Sequence, residues 1–448
     1  MKQIAIAIIL AITLAPPLFA EESPTTPYSL ENCIEISLTK SPSVLSAAEE
    51  LKRAKGTLWE TWTEIISVNL SADYSYRGDV LPGDPFSPLT ENDDFSVSIE
   101  GSIPVFSGGR VINGVLSAYL VRDIARENYR KAVNETMYNV TKTFNEILLS
   151  RELVRVREEE VSFLTRNFET TREKYDVGMA SWFEMLRGEV ELTNAEPALM
   201  EAEDSLTNAS DNLKKTLGMD IRDALEIEGE LSYREAAIDL DECISKALMQ
   251  NPDLLIASFE EEVVWKKVRS VIGEYFPTIS LFGRYEYTSD RVDIEFHHDL
   301  WEYTGGVSAL MPLTGLLSIS ARLKQARAEY EKARIVRDDV ENGIKLEVKK
   351  AYQDLTRSRK IVESQSKNVL LAKEGLDIAE IQYENGINTY LELMDTRLAL
   401  TQANLNYVNA VFDYLEALAR LKKLMGEYTD APDAQANEKP DISGEPPR

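Results

Sequence analysis

Four short segments of the chain alternate apolar and polar residues. In the first, ISVNLSADYSY (66–76), apolar side chains fall at every second position, with Ser, Asn or Asp between them. Successive side chains of a β-strand point to opposite faces, so this pattern predicts a strand with one apolar and one polar face. The alternation recurs at 95–105, 277–287 and 301–311. Four strands of this length match the roughly 9–11 residues with which a tilted strand crosses a bilayer.

The apolar face of these strands is predicted to meet lipid. A soluble sheet with one exposed side would also alternate. However, the apolar faces carry tyrosines near the strand ends, as at a membrane interface, and the sequence offers no further alternating strand pairs to cover them. The polar loops 77–94 and 288–300 suit the watery side of a membrane. Four strands cannot close a barrel, which takes at least about eight, so we expect several chains to combine their strands.

Two long stretches show a heptad seam, in which an apolar residue recurs at every seventh position. The seams consist of Val140, Ile147, Val154, Val161, Phe168 and Tyr175, and of Val348, Leu355, Val362, Val369, Leu376 and Tyr383. The second seam position is less apolar, with Arg151, Glu158 and Arg359, which does not suit a simple two-stranded coiled coil. The pattern favours helices packed side by side in a wall. A helix over 110–177 would extend about 100 Å.

Each long helix is predicted to end at a glycine and to be followed by a return helix. Gly178 and Gly386 interrupt the helical patterns, and return helices are expected over 181–217 and 389–425. A break and return of this kind gives a helical hairpin with a projecting tip.

The opposite end of each long helix follows a strand, in the sequences PVFSGGR and PLTGLLS. Proline cannot donate to the strand ladder and glycine permits tight reversals. We therefore expect Pro104 and Pro312 to end the strands, and Gly108, Gly109 and Gly315 to allow the turn into the helix.

The two halves of the chain repeat each other. Cys33 and Cys243 occupy matching positions in YSLENCIEISLTKSP and IDLDECISKALMQNP, 210 residues apart by subtraction. Likewise KYDVGMASWFEML recurs as QYENGINTYLELM, 208 residues further on. We expect two copies of one unit, 21–219 and 233–428, joined by a linker at 220–232. Each copy should contain a short helix, two strands and a long helical hairpin.

The termini and the charge limit the class of protein. Residues 1–20 begin with Lys2 and continue with an apolar core, which indicates a secretory signal peptide. A membrane anchor is the weaker alternative because the apolar run is shorter than the roughly 20 residues that span a bilayer. The Pro-rich segment 429–448 is expected to be disordered. A net charge of −27 argues against a nucleic-acid partner, which would need clustered Lys and Arg.

Enzyme chemistry finds little support in the sequence. It contains no Gly-x-Ser-x-Gly elbow, no phosphate-binding Gly-Lys loop and no His-Glu-x-x-His metal motif. We expect no enzyme activity and no cofactor. The two histidines, His297 and His298, are adjacent in a predicted loop, where an ordinary exposed loop is favoured over a weak metal site.

Two further features are predicted to be structural. Cys33 and Cys243 are expected to be small buried side chains rather than a disulfide, although an exported protein can form one. The glutamate triplets at 158–160 and 260–262 are expected to lie on solvated helix faces.

The joint order of these motifs resembles the TolC-type outer-membrane efflux protein family, over about residues 28–426. The resemblance implies a homotrimer in which a twelve-stranded β-barrel in the outer membrane continues as a long α-helical barrel through the periplasm. It also implies an exit duct of a tripartite efflux or type I secretion system, with a periplasmic adaptor and an inner-membrane pump as partners. The residues alone require an oligomer but do not choose three copies over two or four.

The resemblance assigns a gate to the hairpin tips. Glu392 and Asp395 match the acidic gate positions; with Glu184 and Tyr383 they would form acidic rings that repel anions and bind cations. A solvated acidic face, common in so acidic a chain, is the alternative. Asn388 departs from relatives in which an arginine helps to lock the closed tip, so any latch here must differ. Tyr383 is a candidate to hydrogen-bond an acidic neighbour such as Glu184.

The adaptor is expected to dock at the same tips. The matching positions are Val177, Gly178, Met179 and Ser181 in the first copy, and Gly386, Ile387 and Thr389 in the second. The alternative is plain turn chemistry, in which a glycine ends the helix beside small polar residues, and both interpretations can hold together.

Two other classes remain open. A passive outer-membrane porin would also bring a barrel, but it has no use for helices of this length. A periplasmic coiled-coil scaffold would explain the heptads, but it leaves the four alternating strands without a partner.

Overall fold

The computed structural model describes residues 27–77, 92–289, 300–311 and 315–429, and over these the chain is mainly helical. The elements in chain order are α1 Leu30–Lys40, α2 Pro42–Thr63, β1 Ser67–Arg77, β2 Asn92–Phe106, α3 Arg110–Asp176, α4 Trp182–Leu217, α5 Leu240–Gln250, α6 Pro252–Gly273, β3 Thr278–Ser289, β4 Trp301–Leu310, α7 Leu316–Glu384 and α8 Tyr390–Met425. A short 3-10 helix, Glu427–Thr429, follows α8. The order helix, helix, strand, strand, helix, helix occurs twice.

Several sequence predictions fall outside the described residues. They are the signal peptide (1–20), the turn at Pro312, the two histidines at 297 and 298, and nearly all of the C-terminal tail.

Each half begins with two helices, so the prediction of one short helix was wrong. Ser41 and Asn251 adopt extended backbone between the helices, and Pro42 and Pro252 begin the second helix of each pair. Proline disfavours helical backbone in the residue before it but fits the first helical turn. One proline therefore ends one helix and starts the next.

The four strands form one antiparallel sheet in the order β1-β2-β3-β4. The register places Leu70 beside Ile99, Ile99 beside Tyr285, and Tyr285 beside Tyr303, in one row across all four strands. The row is open to the surroundings, with Leu70 at 72% and Tyr303 at 87% exposure. The predicted strands are confirmed, and one side of the sheet is an uncovered apolar surface. Within the described residues, β1 and β4 each leave one edge unpaired.

Glycine is needed in the turn from β2 into α3 but not at position 315, where α7 begins. β2 continues past Pro104 to Phe106 with an irregular register, so this proline does not end the strand. Gly108 and Gly109 are left-handed, with φ values of 64° and 85°, a conformation that glycine adopts without strain. Gly315 has φ −81° and ψ −10°, which most residues adopt.

The two long helices are nearly equal in length. α3 has 67 residues and α7 has 69, which corresponds to about 100 Å each. Much of each seam lies in the core, where Val140 and Val348 are fully buried, whereas Tyr175 at the end of the first seam is exposed. α3 packs along α4 and α7 packs along α8, while a further contact of α3 with α8 joins the two hairpins.

The two arginines at the second seam position contact the segment that links the two halves. Arg151 donates hydrogen bonds to the carbonyl oxygens of Ile227 and Gly229, at 3.0 and 3.3 Å. Arg359 forms an ion pair with Glu235 at 2.9 Å. The linking segment therefore packs against the long helices, and these arginines hold it there.

The two cysteines are buried, as predicted. Cys33 lies in the core formed by α1, α3 and α4, and Cys243 in that formed by α5, α7 and α8. Each side chain is fully buried, and both are free thiols. Burial raises the pKa of Cys33 to about 11.

Candidate functional site at the hairpin tips

Both tips are closed by the same backbone turn. In the first, Gly178 has φ 79°, its N–H donates to the carbonyl of Tyr175 at 2.9 Å, and the N–H of Met179 donates to that of Lys174 at 2.7 Å. The second tip repeats this pattern around Gly386, which has φ 70°. This is the Schellman arrangement, in which a left-handed glycine satisfies the last carbonyls of a helix.

Two of the predicted gate acids also cap the return helices. The carboxylate of Glu184 accepts a hydrogen bond from the N–H of Ser181 at 2.9 Å, and that of Glu392 accepts from the N–H of Thr389 at 2.8 Å. In return, the Ser181 and Thr389 hydroxyls accept from the glutamate N–H groups. These are capping boxes, which satisfy backbone donors at a helix start. The two glutamates are thus held in place at equivalent points of the tips.

Asp395 is different from the capping glutamates. It lies one turn further along α8, is exposed, and forms no hydrogen bond or ion pair with the described residues. Its charge is free to act on the surroundings.

Tyr383 lies beside both Thr171 of α3 and Glu184 of α4. The Thr171 hydroxyl is buried on α3 and reaches the Tyr383 side chain, while Glu184 already accepts from its own helix start. Burial and then the negative charge of Glu184 raise the pKa of Tyr383. The Lys174 ammonium lies over the Tyr383 ring, 4.9 Å from its centre. Tyr383 therefore connects α7 to the end of α3.

Tyr390 packs next to Tyr383, with 6.0 Å between the ring centres. It is 3% exposed, and its hydroxyl has no hydrogen-bond partner among the described residues. Burial is the main reason that its pKa rises to about 12. Gly188 on α4 faces this hydroxyl, because a Cβ added there would lie 2.9 Å from it. The absence of a side chain at Gly188 thus makes room for Tyr390.

Arg397 lies two residues beyond Asp395 and faces the other way, towards α3. Its guanidinium lies over the ring of Phe163, 4.6 Å from the ring centre, and burial lowers its pKa. Glu159 and Glu160 contribute nearby negative charge. Glu160 is only 9% exposed and pairs with Arg157 at 2.8 Å. The expectation that the 158–160 triplet is wholly solvated was therefore wrong for Glu160, because α8 covers that side of α3.

The predicted docking positions lie in the two turns. Val177, Met179 and Ile387 are strongly exposed apolar side chains, and no atom lies within 4 Å of a Cβ built at Gly178 or Gly386. Ser181 and Thr389 are occupied as helix caps. Each tip therefore presents apolar side chains on a fixed turn.

Sequence reasoning missed Tyr390, Gly188 and Arg397. A signal was present for Arg397, because it follows Tyr390 by seven residues and so falls in a heptad seam. A basic residue in such a seam indicates a specific partner. The pairing of Tyr390 with Gly188 joins different helices and left no local signal.

The described residues hold no group of three or more His, Cys, Asp or Glu placed to bind a metal. Among the described helices, none combines the length and the apolar character that crossing a bilayer would take.

Comparison with known proteins gives a consistent match. The family model for outer membrane efflux proteins matches residues 34–219 and 243–427. Outer membrane protein TolC of Vibrio cholerae is 22% identical over 87% of this chain and 88% of its own length. Outer membrane efflux protein BepC of Brucella suis is 22% identical over 73% of this chain and 72% of its own length.

The fold is also that of a solved channel. The CmeC outer membrane channel of Campylobacter jejuni superimposes with a TM-score of 0.78, covering 89% of this chain and 85% of that one, at 16% identity. Two matched segments that span most of the chain, together with this fold, show that the chain is an outer-membrane protein belonging to the outer membrane efflux protein family.

Proposed function

We propose that three copies of the chain form the exit duct of a tripartite efflux or type I secretion system. Their twelve strands close a barrel in the outer membrane, and their helices continue it as a tube through the periplasm. Substrates enter at the tips from an inner-membrane pump and a periplasmic adaptor. The two halves of each protomer act as repeats of one unit around the tube.

One observation carries this proposal: within the described residues, a sheet with one open apolar face and two unpaired edges is joined directly to helices of about 100 Å. Water is a poor solvent for that face, and unpaired strand edges are not tolerated in lipid. Joining the edges of several copies pairs the strands, and a membrane around the resulting barrel covers the apolar face. The polar face, which includes the Glu100–Arg284 ion pair, then lines a wet passage.

The tip residues supply the gate in this proposal. In a trimer, Asp395 and Glu392 become rings of three carboxylates, which attract cations and repel anions. Glu184 supports the ring from the other hairpin of the chain, and Tyr383 supports it from α7 of the same hairpin. The exposed apolar side chains Val177, Met179 and Ile387 are the anchors for the adaptor.

The oligomer is tested first. The purified protein should require detergent and should run at the mass of three chains by native mass spectrometry. A monodisperse single chain without detergent would favour the periplasmic scaffold and overturn the proposal.

The gate is tested by planar-bilayer recording with divalent cations on the inner side. Glu392→Gln with Asp395→Asn removes the two charges while the glutamine keeps the capping box. We expect weaker divalent block at unchanged expression. Glu201→Gln with Glu203→Gln, two exposed acids farther along α4, is the matched control and should block like the parent. Unchanged block in the tip variant would refute the gate assignment alone. A large, unselective conductance in the parent would favour a passive porin.

A further inference from the structure

The contact between α3 and α8 shows how the two hairpins of one chain fit together. On α8, Tyr390 and Met394 lie in one core cluster with Leu164 of α3, and Thr401 and Val408, one and two heptads beyond Met394, are also buried. On α3, Glu160 and Leu164 are buried in return. Arg397 stacks on Phe163 in the middle of this seam.

The equivalent positions of the other repeat lie open on the two flanks of the protomer. Subtracting 208 from the α8 positions gives Trp182, Leu186, Thr193 and Met200 on α4, all of which are exposed. Adding 208 to Glu160 and Phe163 gives Asn368 and Leu371 on α7, which are also exposed. Trp182 is 58% exposed where Tyr390 is 3% exposed. Both helices have the same bounds in this numbering, since α4 and α8 each have 36 residues.

Among the described elements, none packs closely on these two open faces. α4 packs on α3 and α1, and α7 packs on α8, α6 and α5. The internal seam therefore serves as a template for a joint between copies, with α4 of one copy in the place of α8, and α7 of the next copy in the place of α3.

The charges of the two seams support this template because they are reversed. Around Arg397 lie the carboxylates of Glu159, Glu160 and Glu380, with Arg166 as an opposing charge. The equivalent of Arg397 is Glu189. The equivalents of its surroundings are Lys367, Asn368, Arg172 and Glu374. In the seam between α3 and α8, the cation Arg397 thus lies among acids. At the equivalent positions of α4 and α7, the acid Glu189 corresponds to Arg397, and two of its expected neighbours, Lys367 and Arg172, are cations.

We propose that α4 of one copy packs on α7 of the next copy in the register that α8 adopts on α3, with Glu189 paired to the neighbour's Lys367. This inference rests on the proposed closed oligomer and adds the order and register of its joints.

The charge reversal also excludes the wrong joints. If α4 of a second copy replaced α8 on α3, Glu189 would face Glu159 and Glu160. If α8 of one copy packed on α7 of another, Arg397 would face Lys367. Like charges placed together at a partly buried contact disfavour that pairing, which is how specific helix interfaces reject wrong partners. These charges therefore favour one order of the helices around the tube.

Charge exchange tests the pairing in the full-length protein in detergent. Glu189→Lys and Lys367→Glu should each lower the temperature at which the oligomer dissociates, and the double exchange should restore most of the loss. Glu201→Lys with Lys373→Glu makes the same charge changes at other exposed positions of α4 and α7 and should have little effect. Single variants that dissociate like the parent would refute the ion pair.

Disulfide cross-linking tests the register independently. Glu189→Cys with Lys367→Cys should give covalent multimers on oxidation, and the buried native thiols should contribute little background. Glu189→Cys with Lys360→Cys moves one partner by seven residues, about 10 Å along the helix, and should not cross-link. An intact oligomer that cross-links only at Lys360→Cys, or at neither site, overturns the register while the oligomer stands. A single chain in detergent overturns the proposed function itself.

Discussion

Replacing Gly188 by alanine should loosen the contact between α4 and α8 at the tip. The added Cβ would lie 2.9 Å from the Tyr390 hydroxyl oxygen and 3.5 Å from Cδ2 of Phe168. The first separation is several tenths of an ångström shorter than a comfortable contact. Tyr390 cannot swing aside freely, since it is buried among Leu393, Met394 and Leu164.

The net effect combines two opposing contributions. Overpacking of this kind costs about 1–3 kcal/mol, while alanine in place of glycine stabilises a helix by about 0.5–1 kcal/mol. We therefore expect Gly188→Ala to destabilise the tip by about 1 kcal/mol, which corresponds to a roughly fivefold larger population of the locally open state. Adding Tyr390→Phe removes the oxygen that the Cβ would meet. The double variant should then open more slowly than the parent.

Amide hydrogen exchange of the first turns of α4 and α8 measures this opening directly. Gly343→Ala on α7 is the matched control, because no atom lies within 4 Å of its added Cβ. It should slow local exchange. The reasoning is refuted if Gly188→Ala exchanges as slowly as the parent, or if Tyr390→Phe fails to reverse its effect.

Three further predictions follow from single positions. Thr389→Ala should cost about 1 kcal/mol of helix stability, because the helix cap is lost, and amide hydrogen exchange in the first turn of α8 should become faster. Ser181→Ala should have the same effect at the start of α4. Amide exchange equal to that of the parent in both variants would contradict this prediction. Gly108→Ala should reduce the yield of folded oligomer. Alanine there would adopt a left-handed backbone, which costs about 1–2 kcal/mol, and its Cβ would overlap the carbonyl oxygen of Gly273. Gly114→Ala is the control and should leave the yield unchanged, because no atom lies within 4 Å of its added Cβ. Folding raises the pKa of Cys33 from 9.0 to about 11. The stabilisation that the neutral Cys33 thiol contributes should therefore be fully present below pH 9 and be lost as the pH rises from about 9 to about 11, which the unfolding midpoint measures. A Cys33→Ala variant with the same decline would contradict this.

Periodicity carried most of the fold prediction. Alternation at 66–76 and the heptads from Val140 to Tyr175 report the two solvents that each element meets, and both give repeating signals along the chain. The break at Pro42 was overlooked although proline is a local signal. The continuation of β2 past Pro104 depends on the partner strand β3, which the local sequence does not report.

The tips were predicted in position but not in detail. The capping boxes Ser181-x-x-Glu184 and Thr389-x-x-Glu392 are legible in the sequence, and they explain why a glutamate stands at each of these positions. The burial of Glu160 could not be read from its triplet, because it depends on α8 covering that side of α3. Contacts that join distant helices leave their trace only in the three-dimensional structure.

The central claim is that several copies share one closed sheet above one helical tube. An electron cryo-microscopy map of the detergent-solubilised protein tests it most directly. The account predicts three copies around one axis, twelve strands in a closed barrel, and α4 of each copy lying against α7 of the next. A map with an open sheet, or with another number of copies, would contradict it.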